Sequence, residues 1–290
     1  MVTVHAPARQ PFDFGASLRF IGRFPATAGE QSIDDGVLTC ALRASGVLVG
    51  ARITAEGDGL RYELASASPL DDEAVLAASD RLSFHLGLDD DLAAFYALAA
   101  DDPPFQGVFD ALYGYHQVLF PSPLELMCWA ILAQRVPMAG ARKMKRAIVT
   151  AAGNRIVVNG AELWAFPDLG QLLGHSPDDL VDLIGNRRKA GYLHAAFRQW
   201  EEIDEAFLRH GKPDQVRERL LAIPGIGPWS ATFLMVRGLG RSEEISADGE
   251  AKLAASRVYG RTLTDAEFAE LAGRYGQWQG YWAHYLRAAG

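Results

Sequence analysis

The stretch LLAIPGIGPWSAT (220–232) carries two prolines and two glycines within five residues, between two apolar segments. The segment before it, PDQVRERLLAI (213–223), repeats its apolar residues at the spacing of one helical face. The segment after it, PWSATFLMVRGLG (228–240), continues as an apolar helix that ends at glycine. The sequence therefore predicts a helix, a tight glycine-rich hairpin and a second helix over residues 214–240.

This hairpin is suited either to a structural turn or to an anionic partner. Gly225 and Gly227 permit backbone conformations that are closed to other residues, and they let a partner approach closely. Pro228 fits the first turn of the second helix, whose free amides and positive dipole end suit one phosphate. A dinucleotide-binding glycine turn would follow a strand, and no strand-like stretch precedes this one. The segment alone leaves both interpretations open.

In most of the first hundred residues, the apolar residues do not have the helical spacing seen around the hairpin. Four short stretches of strand type, separated by glycine turns, are SLRFIGRF, GVLTCALRA, GVLVGARIT and GLRYELAS. EGDG (56–59) is the strongest hairpin pattern among them. DDEAVLAASDRLSFHLG (71–87) begins with acidic residues and then has helical spacing. We therefore expect an antiparallel sheet with a helix packed on it.

After residue 104 almost every segment has helical period. The predicted helices are FQGVFDALYGYHQVL, SPLELMCWAILAQRV, AGARKMKRAIVTAAG, SPDDLVDLIG, NRRKAGYLHAAFRQWEEIDEAFLRHG, the two hairpin helices, GEAKLAASRVYG and DAEFAELAGRYGQWQGYWAHYLRAA. The predicted fold class is α+β, with an N-terminal sheet domain (1–104) and a helical region (105–290) whose last helices span 249–290. The helical region is expected to form two subdomains with the active-site cleft between them.

The charge of the chain is unevenly distributed. The net charge is −8, and hydrophobic residues make up 49% of the chain, as in an ordinary globular protein. Residues 1–120 hold 7 Lys and Arg against 17 Asp and Glu, a balance of −10, whereas residues 121–290 hold 21 against 19, a balance of +2. An anionic partner is therefore expected on the second part. Alternatively, the acidic first domain merely aids solubility.

Cysteine usage and hydropathy limit the compartment and the cofactors. Cys40 and Cys128 lie far apart and form no metal-type spacing. Two cysteines cannot supply the four thiolates of a usual iron–sulfur cluster. No apolar run approaches the roughly 20 residues of a membrane helix, and the N-terminal stretch has no signal-type apolar region. We expect a cytoplasmic protein with reduced thiols, without a membrane partner and without an iron–sulfur cluster.

The hairpin followed by ISADGEAKLAASRVYG (245–260) resembles the helix–hairpin–helix DNA glycosylases, which carry a catalytic aspartate downstream of the hairpin. SPLELMCWAILAQRVPMAGARKM (122–144) resembles the helix and loop that enter DNA in that superfamily. The N-terminal sheet and the aromatic stretch YGQWQGYWAHYL (275–286) make the alkylated-base branch, 3-methyladenine DNA glycosylase II, the most similar. The resemblance implies a monomer that binds double-stranded DNA containing damaged bases.

Asp248 is the residue that matches the catalytic aspartate. The resemblance implies that it stabilises positive charge on the deoxyribose as the base leaves, and that it helps to orient water. A fixed carboxylate in a dry pocket favours such an oxocarbenium-like state, and a helix N-terminus keeps the carboxylate ionised. The alternative is an ordinary helix N-cap, for which aspartate is a favoured residue.

Trp229 stands where strand-cutting members of the superfamily have a Schiff-base lysine, so the resemblance implies a monofunctional glycosylase that uses water. Its indole is suited to stacking on a flipped, cationic base. Trp278 matches an active-site tryptophan of the family, and Tyr115 is a further candidate for this base pocket. The other aromatic residues over 278–285 share one helical face and are expected to be mostly core. Alternatively, Trp229 packs the two hairpin helices together.

Further contacts are carried over from the family to matching positions. Gln134, Arg135 and Val136 match the loop that fills the gap left by the flipped base. A leucine matches Arg135 in the alkylated-base enzyme, so either Arg135 or Val136 fills the gap, or Arg135 is an ordinary surface arginine at the end of a helix. The predicted contacts to the DNA backbone are Gly225, Ile226, Gly227 and Ser230. The resemblance also implies a monovalent cation on the backbone carbonyls of Ile223 and Gly225.

Two basic clusters, Arg142–Arg146 and Asn186–Lys189, either contact phosphates or form solvated helix faces. No zinc-type, phosphate-loop or serine-hydrolase motif is present in the sequence. The leading hypothesis is hydrolysis of the N-glycosidic bond of alkylated purines such as 3-methyladenine, because methylation makes the base a good cationic leaving group. The alternatives are a catalytically silent DNA-binding protein, an oxidised-base glycosylase with lyase activity, and a purely structural hairpin and aspartate.

Overall fold

The computed structural model of the protein describes residues 1–27, 30–245 and 249–289. Asp248, the predicted catalytic residue, lies outside the described residues.

The strands are β1 (Val2–Pro7), β2 (Gln31–Asp34), β3 (Val37–Ala44), β4 (Val47–Glu56), β5 (Gly59–Ala65), β6 (Arg155–Val158) and β7 (Ala161–Trp164). The helices of the first half are α1 (Phe14–Arg23), α2 (Asp72–His85), α3 (Ala93–Ala100), α4 (Gln106–Ala111), α5 (Pro123–Leu132) and α6 (Met138–Ala151). Those of the second half are α7 (Leu169–Leu173), α8 (Pro177–Ile184), α9 (Arg187–Trp200), α10 (Glu205–His210), α11 (Pro213–Leu221), α12 (Pro228–Gly238), α13 (Gly249–Val258), α14 (Asp265–Arg274) and α15 (Gln279–Ala288).

The N-terminal sheet is antiparallel, in the order β1-β5-β4-β3-β2. The turn of EGDG joins β4 to β5 as predicted. The strand predicted for SLRFIGRF is wrong, because this stretch lies in helix α1. Phe14, Leu18 and Ile21 are buried at helical spacing, so burial on one helical face outweighs the strand-like composition.

The hairpin β6–β7 interrupts the region that the sequence predicts to be helical. Asn159 and Gly160 have φ of +49° and +82° and form the turn, a residue pair that favours tight hairpins. The hairpin packs on the N-terminal sheet beside Gly50, where a Cβ atom would stand only 2.2 Å from the Val158 side chain. This close approach explains why a glycine lies in the middle of β4.

Three predicted helices are shorter than expected or divided. The helix predicted from Phe105 to Leu119 ends at Ala111, and the chain then continues without regular structure to α5. The long segment that begins at Asn186 divides into α9 and α10. The last segment divides into α14, a 3-10 turn (Gly276–Trp278) and α15. No helix within the described ranges is long and apolar enough to cross a membrane.

The buried apolar residues form two cores. The first core combines residues of the chain up to Val118 with the C-terminal helices α13, α14 and α15. The second core consists mainly of residues between Phe120 and Leu239, with Ala26 added from the N-terminal part. The C-terminal helices thus share a core with the sheet, and the change between cores does not coincide with residue 104. The hairpin helices belong to the second core and face the first across a seam.

Candidate functional site

The hairpin predicted from the sequence is formed between α11 and α12. The Ile223 amide donates to the Leu220 carbonyl at 3.1 Å, and the Ile226 amide donates to the Ile223 carbonyl at 3.0 Å. Gly225 has φ of +88°, and a Cβ atom there would lie 3.0 Å from Tyr192. Both isoleucines are buried. The hairpin is therefore fixed to the second core, and glycine is required at its tip.

The N-terminus of α12 lies directly behind the hairpin. Gly227 is the N-cap and Pro228 the first helical residue. The first intrahelical bond runs from the Ala231 amide to the Gly227 carbonyl at 2.9 Å. The amides of Trp229 and Ser230 therefore precede the helical hydrogen bonds, as at any helix start, and this end of the helix favours an anion. The backbone contacts predicted at the hairpin stay a prediction.

The predicted wedge loop is joined to the hairpin by a hydrogen bond. The Gln134 side-chain amide donates to the Gly225 carbonyl at 2.7 Å. Arg135 has φ of +53° and is exposed, whereas Val136 packs partly against the second core. The loop therefore exposes Arg135 to solvent more fully than Val136 beside the hairpin. Whether it enters DNA stays a prediction.

The buried side chain of Lys189 also binds this loop. Its ammonium group donates to the carbonyl oxygens of Ile131, Leu132 and Gln134, each at 2.8 Å. These carbonyls lie at the end of α5, where helical carbonyls have no intrahelical partners and a cation is favoured. Lys189 is buried, and this burial lowers its pKa. Its role is to order the loop.

The two basic clusters therefore mix structural and exposed cations. Lys145 and Lys189 are buried and fully engaged inside the protein, which contradicts any contact of theirs with phosphates. The exposed members are Arg142, Lys143, Arg146, Arg187 and Arg188. Arg188 stacks on Tyr192, at 5.4 Å from its ring centroid, and Tyr192 contacts the hairpin. Arg188 is thus placed next to the hairpin tip.

The two carbonyls predicted to bind a cation already accept hydrogen bonds. Ile223 O accepts the Ile226 amide, and Gly225 O accepts the Gln134 side chain. Carbonyl oxygens are ligands that hard cations prefer, and each has a second lone pair. The residues therefore fit such an ion, and the cation site stays a prediction.

A line of aromatic rings runs from the surface at the hairpin into the seam between the cores. Trp229 is 50% exposed and stacks on Phe233, with ring centroids 5.0 Å apart at an interplanar angle of 20°. Phe233 contacts Phe120 at 6.2 Å, Phe120 contacts Phe24 at 5.2 Å, and Phe24 stacks on Phe20 at 5.7 Å. These five rings, called the aromatic seam below, join α12 of the second core to α1 of the first.

At the inner end of the aromatic seam lie Arg237, His284 and Tyr115. The Tyr115 hydroxyl bonds His284 Nε2 at 2.9 Å, and Arg237 Nη1 donates to His284 Nδ1 at 2.8 Å. Burial, with the charge of Arg237, lowers the pKa of His284 well below its usual range, so the ring is neutral. The same Nη1 atom also lies 3.2 Å from Nε2, so the arginine and the tyrosine hydroxyl contact the same edge of the imidazole.

The predicted pocket residues are not all brought together. Tyr115 lies at the inner end of the aromatic seam, contacting Phe20 at 5.8 Å between centroids. Trp278 packs instead against Phe95 and Tyr281 in the first core, at 6.3 and 5.8 Å between centroids. The aromatic stripe over 278–285 is mostly buried core, as predicted. The base contacts predicted for Trp229, Trp278 and Tyr115 stay predictions.

Sequence reasoning did not identify several residues of this site. They are Phe20, Phe24, Phe120, Phe233, Arg237 and His284. A pattern was available in α12, since Trp229, Phe233 and Arg237 recur at intervals of four and share one helical face. The contributions of α1 and α15 come from distant parts of the chain, so no local pattern could find them.

The loop that leads to Asp248 is anchored on both sides. Glu244 forms a short ion pair with Arg217 of α11. The Gly280 amide donates to the Ser242 carbonyl at 2.7 Å, and the Gln279 side-chain amide donates to the Glu243 carbonyl at 2.6 Å. Helix α13 begins at Gly249, directly after Asp248. The segment before the predicted catalytic residue is therefore held by α11 and α15.

Solved structures of other proteins share the fold of this chain. No family model matches the chain. The solved 3-methyladenine DNA glycosylase from Archaeoglobus fulgidus superposes with a TM-score of 0.80, over 99% of this chain and 97% of that one, at 22% identity. A DNA-3-methyladenine glycosylase of Bacillus subtilis is 28% identical over 69% of this chain and 67% of its own length. The chain is therefore similar in sequence and in fold to proteins named as 3-methyladenine DNA glycosylases.

A longer relative places this fold within a larger protein. It is a probable bifunctional transcriptional activator and DNA repair enzyme, AlkA, of Mycobacterium tuberculosis, 27% identical over 98% of this chain. The match spans 56% of that protein, so this chain corresponds to about half of it.

Proposed function

We propose that the protein is a monofunctional DNA glycosylase that flips an alkylated purine, such as 3-methyladenine, out of duplex DNA and hydrolyses its N-glycosidic bond. The observation that carries this proposal is the half-exposed Trp229, stacked on Phe233 directly behind the hairpin. An indole held this way offers a flat face to a base and contains no amine for a Schiff base. The names of the similar proteins support the substrate class.

The hairpin and the wedge loop supply the contacts to DNA in this proposal. The free amides at the start of α12 bind a phosphate, Arg188 binds a neighbouring one, and Arg135 fills the gap left by the flipped base. Asp248 stabilises the positive charge that develops on the deoxyribose and orients the attacking water. Residues 242–244, which precede Asp248 in the chain, are held by α11 and α15.

The proposal is tested by base release from duplex DNA treated with a methylating agent. The wild type should release 3-methyladenine, and Asp248→Asn should release it far more slowly while binding an abasic-site analogue as tightly. Asp214→Asn is the matched control, because Asp214 is an exposed aspartate in the first turn of α11.

Other outcomes identify the alternatives. Tight binding of the abasic analogue without base release by the wild type would indicate a silent DNA-binding protein. Covalent trapping on DNA by borohydride would indicate a lyase and would contradict the role given to Trp229. Absence of salt-dependent affinity for DNA would indicate a purely structural hairpin.

A further inference from the structure

The side chain of Arg217 connects three parts of the chain. It lies on α11, its Nη1 atom donates to the Thr232 hydroxyl of α12 at 3.1 Å, and its Nη2 atom donates to the Glu244 carboxylate. The side chains of Arg217 and Glu244 are 30% and 17% exposed, so their ion pair is partly shielded from solvent. A guanidinium is planar and carries its donors in a rigid fork, so it fixes its two acceptors relative to each other. Glu244 is therefore held at a set place against the hairpin helices.

Glu244 belongs to residues 241–245, called the crossover segment below, which pass from the second core to the first. At one end, the Arg241 amide donates to the Met235 carbonyl of α12 at 2.9 Å. At the other end, Ile245 packs against the first core, to which helix α13 also belongs. The two cores are thus joined here by a segment that Arg217 binds from the side of the second core.

Arg217 also lies close to the end of α12 that binds a phosphate in the proposed function. Thr232 follows Ser230 by two residues, which is about 3 Å along the helix axis. Thr232 is buried, so its hydroxyl is a fixed point for the guanidinium. On the other side of the crossover segment, α15 binds the carbonyls of Ser242 and Glu243. Arg217 therefore fixes the segment relative to α12, and α15 fixes it relative to the first core.

Resting on the proposed function, we infer that Arg217 is a positioning residue for base release. Its guanidinium sets the place of the crossover segment, and so of Asp248, which follows Glu244 by four residues, relative to a phosphate bound at α12. Misplacement of a reacting group by about 1 Å slows a step by about 100-fold. Neither Arg217 nor Glu244 is among the DNA contacts of the proposed function. Loss of their ion pair should therefore slow the chemical step and leave the affinity for DNA unchanged.

The test compares Arg217→Met with Arg219→Met in two assays of the full chain. Arg219 is the matched control, because it lies on the same helix, is 32% exposed and pairs with Glu202 rather than with the crossover segment. In single-turnover assays, Arg217→Met should release 3-methyladenine from methylated duplex DNA about 10- to 100-fold more slowly than the wild type. Its affinity for a duplex with an abasic-site analogue should be unchanged. Arg219→Met should match the wild type in both assays.

Variants of Glu244 separate positioning from a loss of stability. Glu244→Gln keeps the shape of the side chain and should slow base release with abasic-site affinity retained, and it serves if Arg217→Met does not fold. The double variant should be no slower than Arg217→Met alone, since both substitutions remove the same interaction. Arg217→Glu combined with Glu244→Arg restores an ion pair and should recover part of the rate. All assays are run well below the melting temperature of each variant, so a loss of stability alone leaves the rate unchanged.

The outcomes that would overturn the inference differ from those that would overturn the proposed function. An unchanged rate in Arg217→Met, an equal fall in Arg219→Met, or a joint loss of rate and abasic-site affinity would overturn the inference alone. Effects of the two substitutions that multiply in the double variant would do the same. Absence of base release by the wild type would overturn the proposed function, and the inference with it.

Discussion

Replacing Lys145 with methionine removes the cation from a buried ion triad that ties the segment after α1 to α5 and α6. The Lys145 Nζ atom lies 2.7 Å from a carboxylate oxygen of Glu30, 2.7 Å from one of Glu125 and 2.9 Å from the Ala26 carbonyl. The side chains of Lys145 and Glu125 are each 2% exposed and that of Glu30 is 10% exposed. Solvent therefore cannot replace the lost ammonium group.

The loss should be large and should depend on pH. Removal of one partner from a buried ion cluster costs about 3–5 kcal/mol in the free energy of unfolding. Burial, with the charge of Glu125, raises the pKa of Glu30 to about 7 against the attraction of Lys145. The folded state thus holds this proton more tightly than the unfolded state, and wild-type stability falls as pH rises from about 4.5 to about 7. Without Lys145 the fall should be steeper, so the penalty is greater at pH 8 than at pH 5.

Urea unfolding at pH 5 and pH 8 measures both effects. Lys143→Met is the matched control, because Lys143 lies two residues away in the same helix and is exposed. It should change the free energy of unfolding by no more than about 0.5 kcal/mol. Equal effects of the two substitutions, or a Lys145→Met penalty that is the same at both pH values, would refute the account of the triad.

Three further substitutions, with Gly227→Ala as a control, test the hairpin and the site. Gly225→Ala should lower the free energy of unfolding by about 1–2 kcal/mol, because Gly225 has a positive φ and a Cβ atom there would contact Tyr192. Gly227→Ala is the control and should not lower the free energy of unfolding, because the space around Gly227 is open. Trp229→Ala should leave the melting temperature nearly unchanged, since the residue is half exposed, and slow base release by about 10- to 100-fold in single-turnover assays. Gly280→Ala would place Cβ 2.6 Å from a carbonyl oxygen of the loop before Asp248, and base release should fall about 100-fold with abasic-site affinity retained.

Local sequence patterns correctly predicted those turns, strands and helices that depend on interactions between residues close in sequence. The hairpin over 214–240 and the strands around EGDG are confirmed, because glycine turns and hydrophobic period act over a few residues. The helix α1 was missed because strand-type composition was given more weight than the buried spacing of Phe14, Leu18 and Ile21. The hairpin β6–β7 was missed although Asn159-Gly160 is a recognisable turn.

Residues whose environment is set by tertiary packing could not be predicted in the same way. Lys145 and Lys189 look like the exposed arginines beside them in sequence, and only the fold shows that carboxylates and helix-end carbonyls surround them. The residues of the candidate site are likewise brought together by tertiary packing. Trp229 is found from the hairpin, but Phe20 and His284 reach the aromatic seam from opposite ends of the chain. A single sequence has no local pattern that reveals contacts between such distant segments.

Under the proposed function, the division into two cores also explains how an acidic chain presents a surface to DNA. The segments of the first core, residues 1–118 and 241–290, hold 13 Lys and Arg against 24 Asp and Glu, a balance of −11, whereas residues 119–240 hold 15 against 12, a balance of +3. Repulsion by the acidic side chains of the first core's segments should steer DNA toward the hairpin side of the second core. Because Lys189 is buried and Arg188 is exposed beside the hairpin, the salt dependence of binding should weaken in Arg188→Gln, as expected for a lost phosphate contact. The charge that matters for DNA is therefore set by which basic side chains the fold leaves exposed, and not by the net charge of the chain.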